Sequence, residues 1–148
     1  MDTTQLAVFG TLAGALLTGG LQLLSQRAQR TAADAAALRT DQVTAIADLA
    51  SVLADHRRAM WVREDLRLRG QDWTAARAES HSTRSAITAP LLRVLILLPD
   101  LAPPAHAAVS AVYELRGVAD ENSLTGAREH AIVASDKFVA AAGALLGR

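Results

Sequence analysis

Apolar and polar positions divide the chain into one uncharged block followed by several amphipathic ones. Residues 5–24, QLAVFGTLAGALLTGGLQLL, carry no charged side chain and stop just short of Arg27 and Arg30. From Arg27 to Arg69 there is neither proline nor glycine, so the block is expected to run on into one long helix. Leu38 lies near the start of this stretch. Ile46, Leu49, Leu53, His56 and Met60 follow at alternating spacings of three and four, the period of a helix that buries one face. RGQDW, residues 69–73, supplies a break, with Gly70 suited to a C-cap and Asp72 to an N-cap. A second pattern reads Trp73, Ala76, Ser80, Arg84, Ile87, Leu91, Leu95 and Leu98. Within it Pro90 predicts a kink or a fresh start capped by Thr88. PLLRVLILL, residues 90–98, is too short to span a bilayer and is interrupted by Arg93, so it is expected to be the best-buried helix. PDLAPP, residues 99–104, forces a turn, after which Pro103 or Pro104 can occupy a first helical turn. Ala105, Ala108, Val112 and Leu115 form a third face ending at Gly117. Ser123 is the predicted N-cap of a last helix along Leu124, Ala127, Ala131, Ala134, Phe138, Ala141 and Leu145. Short connections make neighbours antiparallel. The expected fold is therefore all-α: an N-terminal transmembrane helix followed by an antiparallel bundle of about four helices, the first of them long.

Composition narrows this picture. The chain has 148 residues, 51% of them hydrophobic, enough for one domain with a real core plus a short appendage. Only 3% are aromatic, so the apolar content is mostly Ala and Leu, which favours helices over strands. The formal net charge is zero, so no global field draws the protein to nucleic acid or anionic lipid. Without cysteine there is no disulfide framework, thiolate nucleophile or Cys-bound zinc. All but one of the 15 basic residues are arginine, Lys137 being the exception, a usage that suits a GC-rich genome.

The uncharged block has three readings: a membrane span, a cleaved export signal or a buried helix. Twenty helical residues cover about 30 Å, the thickness of a bilayer's hydrocarbon core. An export signal would begin with basic residues and end at a small-x-small site, whereas this chain begins Met1-Asp2-Thr3-Thr4 and continues through Gln22 past its glycines. Gly10, Gly14, Gly19 and Gly20 are costly in a water-exposed helix and common in membrane spans. The span is the preferred reading. Asp2 before it and Arg27 and Arg30 after it orient the chain N-terminus outside and C-terminal bulk in the cytoplasm. The expected organisation is an extracytoplasmic tail over 1–4, a transmembrane helix over 5–24 and a cytoplasmic helical bundle over 25–148. Gly10, Gly14 and Thr18 form a stripe of small residues, with Thr11, Ala15 and Gly19 beside it, that suits self-association of the span into a homo-oligomer.

Candidate chemistry is sparse. DHRRAMWVREDLRLR, residues 55–69, gathers Arg57, Arg58, Arg63 and Arg67 around Trp61, a pattern able to dock an acidic protein partner. Asp55, Glu64 and Asp65 stand at pairing distance from these arginines, so an ordinary solvated face also fits. Nucleic acid is not the expected partner. Were the helix continuous, Arg63 would lie about 50 Å beyond the membrane, too far to read lipid headgroups. His56, His81, His106 and His130 fall one to a helix, and antiparallel threading brings only His56 and His81 within about a turn. No metal site is expected. There is no HExxH, G-x-S-x-G, P-loop or G-x-G-x-x-G, and neither catalytic residues nor a cofactor are expected. Trp61 and Trp73 straddle the 69–73 turn, where mutual packing is expected.

VFGTLAGALLTGGLQ, the arginine-bearing exit, ADHRRAMW (54–61), RSAITAPLLRVLILLPD (84–100) and ASDKFVAAAGALL (134–146) together resemble the KilB-like family of small actinomycete membrane proteins. The resemblance covers most of the chain. It implies a single-pass membrane protein with a cytoplasmic helical bundle, of a kind that assists the spread of conjugative plasmids through mycelium. The function expected is a non-enzymatic, membrane-anchored scaffold or adaptor. Two alternatives remain open: a holin-like, membrane-permeabilising oligomer built on Gly10 and Gly14, and a soluble helical interaction domain whose first helix is core.

Overall fold

In a computed structural model of the chain, the backbone is described for residues 3–147 and side chains for residues 26–147 apart from Ala28. Five α-helices form: α1 (Thr3–Leu68), α2 (Thr74–Ala86), α3 (Thr88–Leu97), α4 (Ala102–Tyr113) and α5 (Glu121–Leu146), with a 3-10 turn at Pro99–Leu101 between α3 and α4. There is no strand among the described residues. Where side chains are described, no helix is long and apolar enough to cross a membrane. Residues 5–24, expected to span one, and the Gly10, Gly14 and Thr18 stripe lie outside the residues whose side chains are described.

The chain divides into two compact units, Met1–Thr40 and Asp41–Arg148. In the first, only α1 is present, and every described side chain from Gln26 to Thr40 is exposed. Leu38, expected at the head of the buried seam, is 48% exposed, because the seam takes hold only where other helices flank it. The run Ala32–Leu38 holds helix through alanine propensity rather than through burial. The Thr31 and Thr40 hydroxyls donate back to the Arg27 and Ala36 carbonyls.

In the second unit, the C-terminal part of α1 buries Ile46, Leu49, Leu53, His56 and Met60, the three-and-four spacing read from the sequence, with Ala45 beside them. Across from it the Gln42 side chain donates to the Leu97 carbonyl at 3.3 Å, Arg93 reaches Asp48 at 3.5 Å, and His56 Nδ1 lies 2.9 Å from Thr83 Oγ1. Residue numbers fall along α3 and α2 as they rise along α1, so these neighbours are antiparallel. α5 runs the same way against α1, with Arg67 bonded to the Val118 carbonyl and Arg128 over Trp61. α4 and α5 make a hairpin that packs the mostly small buried face of α4, Ala105, Ala108, Ala111 and Val112, against Leu124, Ala131, Ala134 and Phe138. Phe138 is fully buried and is the largest such side chain among the described residues.

The turns follow their chemistry, with some shifts from expectation. Gly70 ends α1 at φ +65°, and Gln71 N–H returns to the Leu66 carbonyl, as in a Schellman cap. α2 ends at Ala86, four residues before Pro90, whose ring has no N–H for that carbonyl and crowds it. The break therefore falls at Ile87, which is 1% exposed, and Ile87 rather than Thr88 is the residue preceding α3, with no side-chain cap. Pro103 and Pro104 do occupy the first turn of α4. That helix ends at Tyr113, short of Gly117, which turns the chain at φ +75°. α5 is capped by Asp120, whose carboxylate accepts the Ser123 N–H at 2.7 Å; Ser123, the predicted cap, is the capped residue. α3 is not the best-buried helix. Leu92 and Ile96 are 56% and 68% exposed, and α4 holds the larger share of buried positions. Only one face of this short helix meets the core, marked by Val94 within it and by Leu98 just after its end.

Candidate functional site

The arginines grouped by the sequence separate into two environments. Arg57, Arg58 and Trp61 line a groove of about 320 Å³ with Ala54, Asp55 and Arg128. Helix α1 supplies one wall through residues three and four apart, and α5 supplies Arg128 from the other side. The Arg128 guanidinium sits 5.1 Å from the Trp61 ring centroid, a cation–π contact that fixes the indole as a floor. Arg58 pairs with Asp55 at 3.0 Å while its side chain stays 77% exposed. Three cations against one carboxylate leave the groove net positive, and its apolar floor lets a partner bury area as well as neutralise charge.

Arg63 and Arg67 face the other way. Glu64 is fully buried, its Oε2 accepting from Arg67 Nε at 2.6 Å and its Oε1 lying 3.5 Å from Arg63 Nε. Arg67 continues to the Val118 carbonyl and so ties the end of α1 to the turn before α5. The Arg63 side chain is 11% exposed, contacts Met60 Sδ and lies over the Trp73 ring at 5.3 Å. Burial holds its guanidinium below the ordinary range; Glu64 opposes that shift, while Arg116, Arg77 and Arg67 add to it. Neither Arg63 nor Arg67 lines the groove, so the surface expected from all five residues contains Arg57, Arg58 and Trp61, with Arg128 added from α5. Trp61 and Trp73 are met by different arginines, Arg128 for the first and Arg63 and Arg77 for the second.

One residue escaped the sequence reading, and Glu64, read there as a partner of the arginines and found paired with Arg67, escaped only in its burial. Arg128 could not be paired with Trp61 without knowing how α5 threads past α1. Glu64 was readable, because it continues the seam four residues beyond Met60, yet its charge suggested a solvated position. Asp55 and Asp65 do pair on the outer face, with Arg58 and Arg69.

His56 and His81 border a common cavity, as the threading required. His56 is 1% exposed, and burial, then Arg84 and Arg63, push its pKa down to about 4. His130 pairs with Glu114 on the surface and His106 is exposed. No group of three or more His, Asp or Glu capable of holding a metal occurs among the described residues.

Against known proteins, residues 43–146 match the family model described as KilB plasmid transfer protein. Protein KilB of Streptomyces lividans is 55% identical over 150 residues, covering 99% of this chain and 99% of that protein. No solved structure matches the chain.

Proposed function

The chain belongs to the KilB plasmid transfer protein family, and from that premise we propose that it serves plasmid transfer as a non-catalytic, membrane-anchored helical scaffold. Residues 5–24 insert in the cell membrane with the N-terminus outside, the stripe of Gly10, Gly14 and Thr18 brings copies together, and the remaining helices lie in the cytoplasm. There Arg57, Arg58, Trp61 and Arg128 present a cationic groove with an aromatic floor to an acidic segment of a partner protein.

The observation that carries this reading is the distribution of chemistry along one helix. α1 contains twenty consecutive uncharged residues and, farther on, the arginines and tryptophan of the groove. No group in or near the groove is arranged as a nucleophile and base, so its chemistry is recognition.

Fractionation of the full chain beside a piece starting at Arg30 tests the anchor, with crosslinking of the full chain and of its Gly14→Ile variant. The expected outcome is a full chain released from membranes only by detergent, a short piece that stays in the supernatant, and a crosslinked dimer lost in the variant. A full chain recovered without detergent would contradict the anchor. Deleting residues 41–148 separates scaffold from pore former: the scaffold loses plasmid transfer, whereas a holin-like oligomer would keep its lethality.

A further inference from the structure

We propose that the small cavity between α1, α2 and the end of α4 is a binding site for a phosphate group. Its enclosed volume is about 20 Å³, and its walls include His56, Arg63, Ser80, His81, Arg84 and Arg116. A water-sized group needs roughly 10–15 Å³ of such space, so one phosphate oxygen enters and the rest of the group stays at the mouth. His56 and Arg63 form the buried side, whereas His81, Arg84 and Arg116 are exposed and border the open side.

Three features of the wall select an oxyanion. First, it carries three guanidinium groups and no carboxylate; the nearby Glu64 is already engaged by Arg67 and Arg63. Among the described residues Arg84 and Arg116 have no acidic partner, and Arg84 is held only by its stack on Tyr113, 3.9 Å from the ring centroid. Second, His56 Nε2 is buried and lacks a hydrogen-bond partner among the described residues, whereas Arg63 Nε faces Glu64 Oε1 at 3.5 Å. Buried polar atoms are nearly always satisfied, and a bound group would satisfy the histidine nitrogen. Third, the histidine is wired to accept. Thr83 Oγ1 lies 3.0 Å from the Glu79 carbonyl and gives its one hydrogen there, so its lone pair takes the hydrogen of His56 Nδ1. Nε2 is then left with a lone pair.

A site with arginine donors and one imidazole acceptor fits a group that has both acceptor oxygens and an O–H. Phosphate near neutral pH has both, while sulfate and chloride only accept. The groups facing His56 are Arg63 from α1, Thr83, Arg84 and His81 from α2, and Tyr113 and Arg116 from α4 and the turn after it. None is an anion, so sulfate gains a donor from Nε2 only when acid protonates the ring.

Calorimetric titration of the full chain in mild detergent with inorganic phosphate, sulfate and glycerol phosphate at pH 7.5 tests this. The expected result is saturable phosphate binding, sulfate bound far more weakly, and a loss of about tenfold or more in Arg84→Gln and in Arg116→Gln. Both positions are exposed, so folding survives, and Arg93→Gln, at a surface arginine outside both this cavity and the groove, should bind phosphate as the unaltered chain does. Glycerol phosphate, a monoester that near pH 7.5 is mostly a dianion with no O–H to give His56 Nε2, should bind more weakly than inorganic phosphate, and equal binding would overturn the O–H contact. Absence of saturable binding, equal response to sulfate, or undiminished affinity in both variants would overturn the proposal and leave a water-filled cavity.

Discussion

Arg58 and Arg63 lie five residues apart on the same helix and live in opposite worlds. Arg58 keeps its head in water against Asp55, whereas Arg63 is enclosed by Trp73, Met60 and Glu64. A helix turns 100° per residue, so five positions carry a side chain from one face to another. The lesson is that this arginine-rich stretch is two devices overlaid. Its outer face lines an open groove, and its inner face ties the end of α1 to the turn before α5. Charge density alone does not distinguish them; register against the seam does.

Changes to the inner lock should have the largest effects. Glu64→Ala leaves Arg63 buried without its counter-charge, and a loss of about 3–5 kcal/mol is expected in denaturant unfolding. If the variant unfolds like the unaltered chain, the lock is not structural. Acid should act next, through His56. Its pKa of about 4 in the fold lies below the ordinary 6.5, so the unfolded chain binds the extra proton. Stability is then full above about 6.5 and falls as pH drops toward 4. Allowing for partial screening, the loss is about 2 kcal/mol. His56→Gln, which keeps a polar group in the seam, should flatten that part of the pH profile relative to the unaltered chain. A smaller effect is expected at the α5 cap, where Asp120→Ala removes the bond to Ser123 N–H and costs about 1 kcal/mol in thermal unfolding. Least of all, Arg58→Ala should change stability by no more than about 0.5 kcal/mol, since exposed pairs contribute little. The outer face sharpens the contrast from the other side: its loss should be felt in plasmid transfer and not in unfolding.

Much of this arrangement was legible from periodicity. The seam from Ile46 to Met60, the cap at Gly70, the prolines opening α4 and the Leu124–Phe138 face all follow from spacing and local chemistry. The misreadings share one cause, that a pattern fixes which residues share a face but not which neighbour covers it. Leu38 continues the apolar pattern into residues where every described side chain is exposed. Leu92 and Ile96 belong to an apolar run whose other side took the core. Pro90 signalled a break, and the missing bond to the Ala86 carbonyl moved it to Ile87. For the groove, Arg57, Arg58 and Trp61 were legible but grouped with Arg63 and Arg67, which turn inward, and Arg128 arrives from a helix about seventy residues away in sequence, a pairing that needs three-dimensional threading.

The most direct measurement is plasmid transfer frequency in cells carrying the Arg57→Glu/Arg58→Glu double variant, alongside its abundance in the membrane fraction. The expected result is transfer reduced to the level of a strain lacking the protein while abundance and membrane association stay unchanged. Undiminished transfer from a stable double variant would contradict the groove as the working surface of the scaffold.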